Sequence, residues 1–240
     1  MRLLIIFNPN AGYGRSLKSR AAIEARLTSL GIESVIELTT HAGHGSELVA
    51  ATDLSDFDGV VAAGGDGTLF EVLNGLYQHP KPNRVPLGLL PVGTGNAFAR
   101  DLDLQPFDWS AAIDILHRGR IRQVDVGHVQ AVDSEYYFLN VISMGFAVDA
   151  GLTAKNLKFI GNTAYTAATL WQVLKLKSYP LTIRLDDEEV CQDNIFVTIS
   201  NTRFTGTHFL IAPEAVIDDG LLDVTLLRQL PRHRLLRLLT

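Results

Sequence analysis

Val60-Val61-Ala62-Ala63-Gly64-Gly65-Asp66-Gly67-Thr68-Leu69 is the stretch on which the fold turns. Four consecutive apolar residues, Val60 to Ala63, suit a strand buried on both faces. Glycines end it. Leu69, Val72, Leu73 and Leu76 then recur at i, i+3, i+4 and i+7, the stripe of an amphipathic helix. A buried strand feeding a helix through a glycine turn is the repeating unit of a parallel α/β sheet. In open sheets of this kind, ligands bind beyond the carboxyl ends of the strands. Glycines there let the backbone approach a phosphate, and a helix N-terminus adds free N–H groups and the positive end of its dipole. Asp66 would repel a phosphate unless Mg²⁺ bridged the two. The stretch therefore suits a nucleotide phosphate with its metal, or else a tight turn that Asp66 merely caps.

Upstream, Leu3 to Phe7 is a second buried strand, ending at Asn8-Pro9-Asn10-Ala11-Gly12-Tyr13-Gly14-Arg15. A helix is expected from Ser16 to Leu30, stopped by Gly31. Ile36 and Leu38 lie in a strand, and Ser46 to Ala51 in a short helix. Downstream, Leu87 to Leu90 is a strand followed by Pro91-Val92-Gly93-Thr94-Gly95-Asn96-Ala97, a turn of the same kind. Thr94 and Asn96 can bond phosphate or ribose, or cap the next helix. Trp109, Ala112, Ile113 and Leu116 mark a further helix, with Asp108 as N-cap and Gly119 as its stop. Three polar, glycine-bearing loops after three strands of one sheet converge on one crevice, which is more specific than any of them alone. No Walker-type loop and no full G-x-G-x-x-G is present, which excludes a P-loop enzyme and an ordinary dinucleotide oxidoreductase.

After Gly119 strand-like runs dominate: Gln123 to Val129, Tyr136 to Ile142, Leu181 to Leu185, Ile195 to Ser200 and Leu222 to Leu227. A helical stretch from Ile160 to Lys177 interrupts them. The expectation is an α/β nucleotide-binding domain over residues 1–122 and a β-rich, sandwich-like domain over 123–240.

Composition agrees with a folded chain of this size. Of 240 residues 47% are hydrophobic and 20% charged, which excludes disorder as the main state. A net charge of −5 argues against a nucleic-acid binder. Cys191 is the single cysteine, so no internal disulfide forms and a cytoplasmic setting is expected. No segment has the long uncharged run of a transmembrane helix, so membrane contact would be peripheral.

In these residues the chain resembles the diacylglycerol kinase catalytic-domain family, in its bacterial soluble lipid-kinase branch. The resemblance rests on Asn8-Pro9-x-Ala11-Gly12, on Gly64-Gly65-Asp66-Gly67-Thr68 with Glu71-Val72, and on Pro91-x-Gly93-Thr94-Gly95-Asn96. It continues through Asp125-Val126-Gly127, Phe138-Leu139-Asn140-Val141 with Gly145-Phe146, and Ala212-Pro213-x-Ala215 with Asp219-Gly220-Leu221-Leu222-Asp223-Val224. It implies an NAD-kinase-like α/β domain, a β-rich second domain, and ATP with Mg²⁺ in the cleft. Asn8, Pro9, Asn10, Ala11, Gly12, Gly64, Gly65, Asp66, Gly67, Thr68, Leu69, Phe70 and Thr94 match its ATP-contacting segments, together with Thr39 or Thr40. Asp66 and Asp125 match carboxylates needed for activity. Val216, Asp219 and Leu221 match a loop that binds Mg²⁺ partly through main-chain carbonyls. From the residues alone, Ile217-Asp218-Asp219-Gly220 is also a good hairpin turn.

The chain departs from the family pattern in places. Ala97 stands where many bacterial members carry aspartate and the sphingosine-kinase relatives carry alanine. Phe70 replaces a usual asparagine. The resemblance also implies a later Asp-Gly-Glu segment bearing the proposed general base. None follows Asp223, so the expectation is a truncated member with weakened catalysis.

The implied activity is transfer of the γ-phosphoryl group of ATP to a hydroxyl of diacylglycerol or a related membrane lipid. The alternatives are a soluble-acceptor kinase of the NAD-kinase type, and a disarmed nucleotide- or lipid-binding module. A homodimer is compatible with the sequence. The helix from Ile160 to Lys177 suits packing or a lipid groove, and the basic, leucine-rich tail from Arg228 suits packing or anionic headgroups. His41 and His44 read as loop histidines, since no carboxylate pattern joins them into a metal site. Cys191 reads as inert.

Overall fold

The computed structural model describes residues 1–145, 178–206 and 209–228. Phe146, the stretch from Ile160 to Lys177 and the tail beyond Arg228 lie outside the described residues.

The sheet expected from the sequence forms from β1 (Arg2–Phe7), β2 (Glu33–Leu38), β3 (Gly59–Gly64) and β4 (Leu87–Pro91). All pairs are parallel, in the order β2-β1-β3-β4. The helices between them are α1 (Arg15–Ser29), α2 (His44–Ala51) and α3 (Asp66–Tyr77), followed by α4 (Ala97–Asp101) and α5 (Trp109–His117). The period-2 alternation of a strand divides β1 between two cores. Leu3, Ile5 and Phe7 pack with Ile23 and Leu27 of α1 and Ile113 of α5. Leu4 and Ile6 pack with Val49 of α2 and with Val72, Leu73 and Leu76 of α3. Helices on both faces explain why β1 and β3 are apolar throughout instead of alternating.

The remaining strands are β5 (Gly127–Gln130), β6 (Glu135–Phe138), β7 (Val141–Gly145), β8 (Tyr179–Leu185), β9 (Glu188–Ser200), β10 (Phe204–Thr205), β11 (Phe209–Leu210) and β12 (Asp223–Arg228). Two compact units result. The first comprises residues 1–140 and 201–221, and so takes in 123–140 and 201–221 beside the parallel sheet. The second, residues 141–200 and 222–240, contains an antiparallel sheet built on the long β9. There β12 and β7 flank the second half of β9, and β8 pairs with its first half. Asp186, with φ of 48°, turns β8 into β9 at the exposed acidic run 187–189.

Several local expectations are corrected. Residues 121–126 form no strand, and β5 begins only at Gly127. The run Tyr136 to Ile142 is two strands of two different sheets, because the chain leaves β6 at Leu139 and Asn140 before entering β7. Asp108 precedes α5, but its side chain makes no capping bond. Ile217 to Gly220 closes no hairpin: the Asp125 N–H donates to Ile217 O at 2.7 Å, and the Gly220 N–H to Asp125 Oδ2 at 2.7 Å.

Candidate active site

The ends of β1, β3 and β4 are laced together by their own backbone. The Asn8 N–H donates to Ala63 O at 2.9 Å, and the Gly93 N–H to Gly64 O at 2.9 Å. The Asn8 side-chain amide donates to Thr68 Oγ1 at 3.1 Å. Asn8 Oδ1 accepts the Asn10 N–H at 2.9 Å, and the buried Ser16 hydroxyl donates to Asn8 O at 2.8 Å. The three loops predicted to converge do converge.

Two glycines are fixed by space. A Cβ on Gly93 would stand 2.3 Å from Gly65 Cα, backbone against backbone. Gly12 has φ of 59°, and a Cβ there would meet the Phe107 ring at 2.6 Å and Val92 O at 2.9 Å. Only glycine suits the left-handed conformation at that spacing. Arg15 stands beside this turn, donating from Nε to Gly12 O at 3.0 Å and lying over the Phe107 ring.

Asp66 opens α3 immediately beyond Gly65. Its Oδ1 accepts the Phe98 N–H at 3.4 Å and the Asn140 amide at 2.9 Å. Burial raises the carboxyl above its ordinary range, and the hydrogen bonds from Phe98, Asn140 and Ala97 oppose that rise. Gly64, Gly65, Asp66 and Asn96 line a small hollow at this point. Asn96 is buried, with φ of 52°, and its amide donates to Gly93 O at 2.8 Å, so it shapes the loop and does not cap α4. Thr94 is exposed beside it.

The other expected residues fall in distinct places. Pro9 is half-buried and Ala11 buried, while Gly67 is exposed in the first turn of α3. The Leu69 side chain is in the core, so only its backbone can face a ligand. Phe70 is 41% exposed and meets Tyr136 edge-on. Thr39 is buried, with its N–H on Phe7 O at 2.9 Å. Thr40 is exposed, and His44 Nδ1 faces both its N–H and its hydroxyl. The loop carrying both threonines is clamped from α3, where the Glu71 carboxylate accepts the N–H groups of Gly43 at 2.9 Å and Gly45 at 3.0 Å.

No contact joins Asp125 to Asp66 directly; a pair of amides connects them. Asn140 donates to Asp66, and the Asn201 N–H donates to Asn140 O at 2.8 Å. The Asn201 amide donates to both Leu139 O and Asp125 O at 2.9 Å. Oδ1 of Asn140 and of Asn201 are buried without a partner. Leaving such an atom unpaired carries a desolvation cost. Asn140 lies within a quoted motif but was assigned no role from the sequence, and Asn201 gave no signal in sequence because its partners lie 62 and 76 residues away.

Asp125 also holds the loop 217–220, next to the residues expected to bind Mg²⁺. Val216, Asp219 and Leu221 are exposed, and Asp219 Oδ1 accepts the Leu221 N–H at 3.0 Å. Carbonyl and carboxylate oxygens are the hard donors that Mg²⁺ takes, so these residues fit the ion.

Comparison with known proteins agrees with this geometry. Residues 2–129 match the model of the diacylglycerol kinase catalytic domain, and residues 140–240 that of the YegS C-terminal NAD kinase beta sandwich-like domain. A diacylglycerol kinase of Bacillus subtilis is 30% identical over 241 residues, covering 100% of this chain and 78% of that protein. One from Mycobacterium tuberculosis H37Rv is 32% identical, covering 99% and 76%. A crystal structure of a diacylglycerol kinase from Bacillus anthracis superposes with a TM-score of 0.76 at 26% identity, covering 98% of this chain and 76% of that one. With the α/β sheet, the β-rich unit and the three glycine loops in place, the chain belongs to the diacylglycerol kinase catalytic-domain family, a family of lipid kinases.

Proposed function

We propose that this protein transfers the γ-phosphoryl group of ATP to a hydroxyl of diacylglycerol or a closely related membrane lipid, acting at the membrane surface. The observation that carries the reading is the half-buried Asp66 carboxylate, set between converging glycine loops at the start of α3 and held by Asn140.

Phosphoryl transfer depends mainly on positioning and charge stabilisation. The backbone of Gly12, Gly64, Gly65, Gly67 and Gly93 and the N-terminus of α3 line the phosphates, with Asn8, Asn10 and Thr94 at the rim. Thr39 or Thr40 approaches the nucleotide from the end of β2. The lipid hydroxyl oxygen attacks the γ-phosphorus as the bond to the β–γ bridging oxygen breaks, and ADP leaves with that electron pair. Asp66 accepts the hydroxyl proton, a role its raised basicity favours. Asn140 orients it. Asp125 orders the loop in which Val216, Asp219 and Leu221 would hold Mg²⁺, an ion that would neutralise phosphate charge when bound.

The test is transfer of labelled γ-phosphate from ATP, with Mg²⁺, to diacylglycerol, phosphatidylglycerol, a sphingosine-type lipid and NAD. Labelled lipid is expected. Labelled NAD without labelled lipid would reassign the acceptor, and no product from a chain that binds ATP would refute the transfer.

A further inference from the structure

His41, in the loop after β2, meets the first turn of α2, which carries His44 and Glu47. Their ligating atoms all lie within 4.8 Å of one another. This overturns the expectation that no carboxylate joins the two histidines: a second interval of three residues along the helix brings Glu47 beneath them. The imidazole rings stack with centroids 4.7 Å apart, and His41 Nε2 lies 3.7 Å from Glu47 Oε2.

We propose that His41, His44 and Glu47 form a binding site for a borderline divalent transition metal of the Zn²⁺ class. Two imidazoles and a carboxylate suit Zn²⁺ and disfavour Mg²⁺, which takes oxygen donors, so the site is separate from the ion of phosphoryl transfer. Three protein ligands leave a position open for water or another donor. The polar surroundings fit the same role. His41 Nδ1 faces Ala42 O at 3.0 Å, an acceptor for Nδ1–H that leaves Nε2 free for a metal. Metal-bound histidines commonly hold their second ring nitrogen in this way. His44 Nδ1 accepts the Thr40 N–H at 3.1 Å, so His44 joins the site when its ring turns off that donor. The loop between the histidines is already fixed, since Glu71 binds the N–H groups of Gly43 and Gly45. The three side chains are half-buried or exposed, so rotamer changes can draw the donors in from within 4.8 Å. The site adjoins Thr40, so metal occupancy should alter affinity for a ligand bound beside Thr39 and Thr40.

The metal site is testable without nucleotide or lipid. Untagged full-length protein is titrated with ZnCl₂ by calorimetry and with CoCl₂ by visible absorption. One equivalent of each metal is expected to bind, Co²⁺ with the intense bands of low coordination. His41→Ala and Glu47→Gln, both at exposed positions, should each weaken binding roughly tenfold or more while leaving the fold unchanged by circular dichroism. Absence of saturable binding overturns the proposal, as does binding of equal strength in both variants.

Discussion

At Asp66, burial and hydrogen bonding act in opposite directions. Burial wins, so the native state holds a proton at this carboxyl to a higher pH than the unfolded chain does. Ionised Asp66 therefore costs stability in full above its raised native value; the cost fades as pH falls from there toward the ordinary carboxylate range, about 4, and is absent below it. Asp66→Asn removes that cost. Thermal unfolding should show the variant at least as stable as the parent at pH 7, with the advantage gone by about pH 3. Under the proposed function the same substitution removes the proton acceptor and should lower kcat by about 10²-fold or more. Asn140→Ala tests the amide that holds this carboxylate. Loss of a hydrogen bond to a charged group is worth about 1.5–3 kcal/mol. The expected result is a fall in kcat of tenfold or more, with an upward shift of the acidic limb of the pH–rate profile, because the lost donor favoured the ionised form. A purely structural Asn140 would leave that limb in place.

At the scale of elements, the site is held by contacts between segments far apart in sequence. Glu71 clamps the loop after β2 onto α3 through Gly43 and Gly45. Glu71→Ala should release that loop, raise the KM for ATP several-fold and cost about 1.5–3 kcal/mol in urea unfolding, with kcat little changed. An unaltered KM would remove the threonine loop from the nucleotide site. The same scale shows what could be read from sequence. β1, β3, β4 and the stripe of α3 were legible because burial on two faces, or on one stripe, writes a pattern of period into the chain itself. The break at Leu139 and Asn140 was not legible, since an apolar run from Tyr136 to Ile142 looks continuous while Asn140 turns to a carboxylate 74 residues away. The loop at 217–220 misled for the same reason: turn residues suggest a hairpin, but its bonds go to Asp125, 95 residues away in the case of Gly220. The meeting of the glycine loops and Asp66 at one edge of the sheet was legible. Asn201 was not, because a lone asparagine carries no local pattern.

At the scale of the molecule, the sandwich of helices on both faces of the parallel sheet supports the loops. Ile5 is fully buried in the cluster between the sheet and α1 and α5. Ile5→Ala should cost about 2–5 kcal/mol in denaturant unfolding. Its ATP KM should stay unchanged while the protein is folded, since β1 reaches the glycine loops only through Asn8, the residue just beyond its end. A selective rise in KM would mean that the sheet does not hold the loops rigidly. Among the described residues no helix is long and apolar enough to cross a membrane. Under the proposed function a lipid acceptor is met at the bilayer surface, and the rate should follow the mole fraction of acceptor in mixed vesicles.

The most direct measurement of the central claim is a single-turnover comparison of the parent chain with Asp66→Asn. Enzyme in excess is loaded with ATP labelled at the γ-phosphate, with Mg²⁺, and mixed with vesicles containing diacylglycerol. Labelled lipid is expected from the parent and, from the variant, ATP bound with similar affinity but transferred at least about 10²-fold more slowly. Equal transfer by both proteins would contradict the claim.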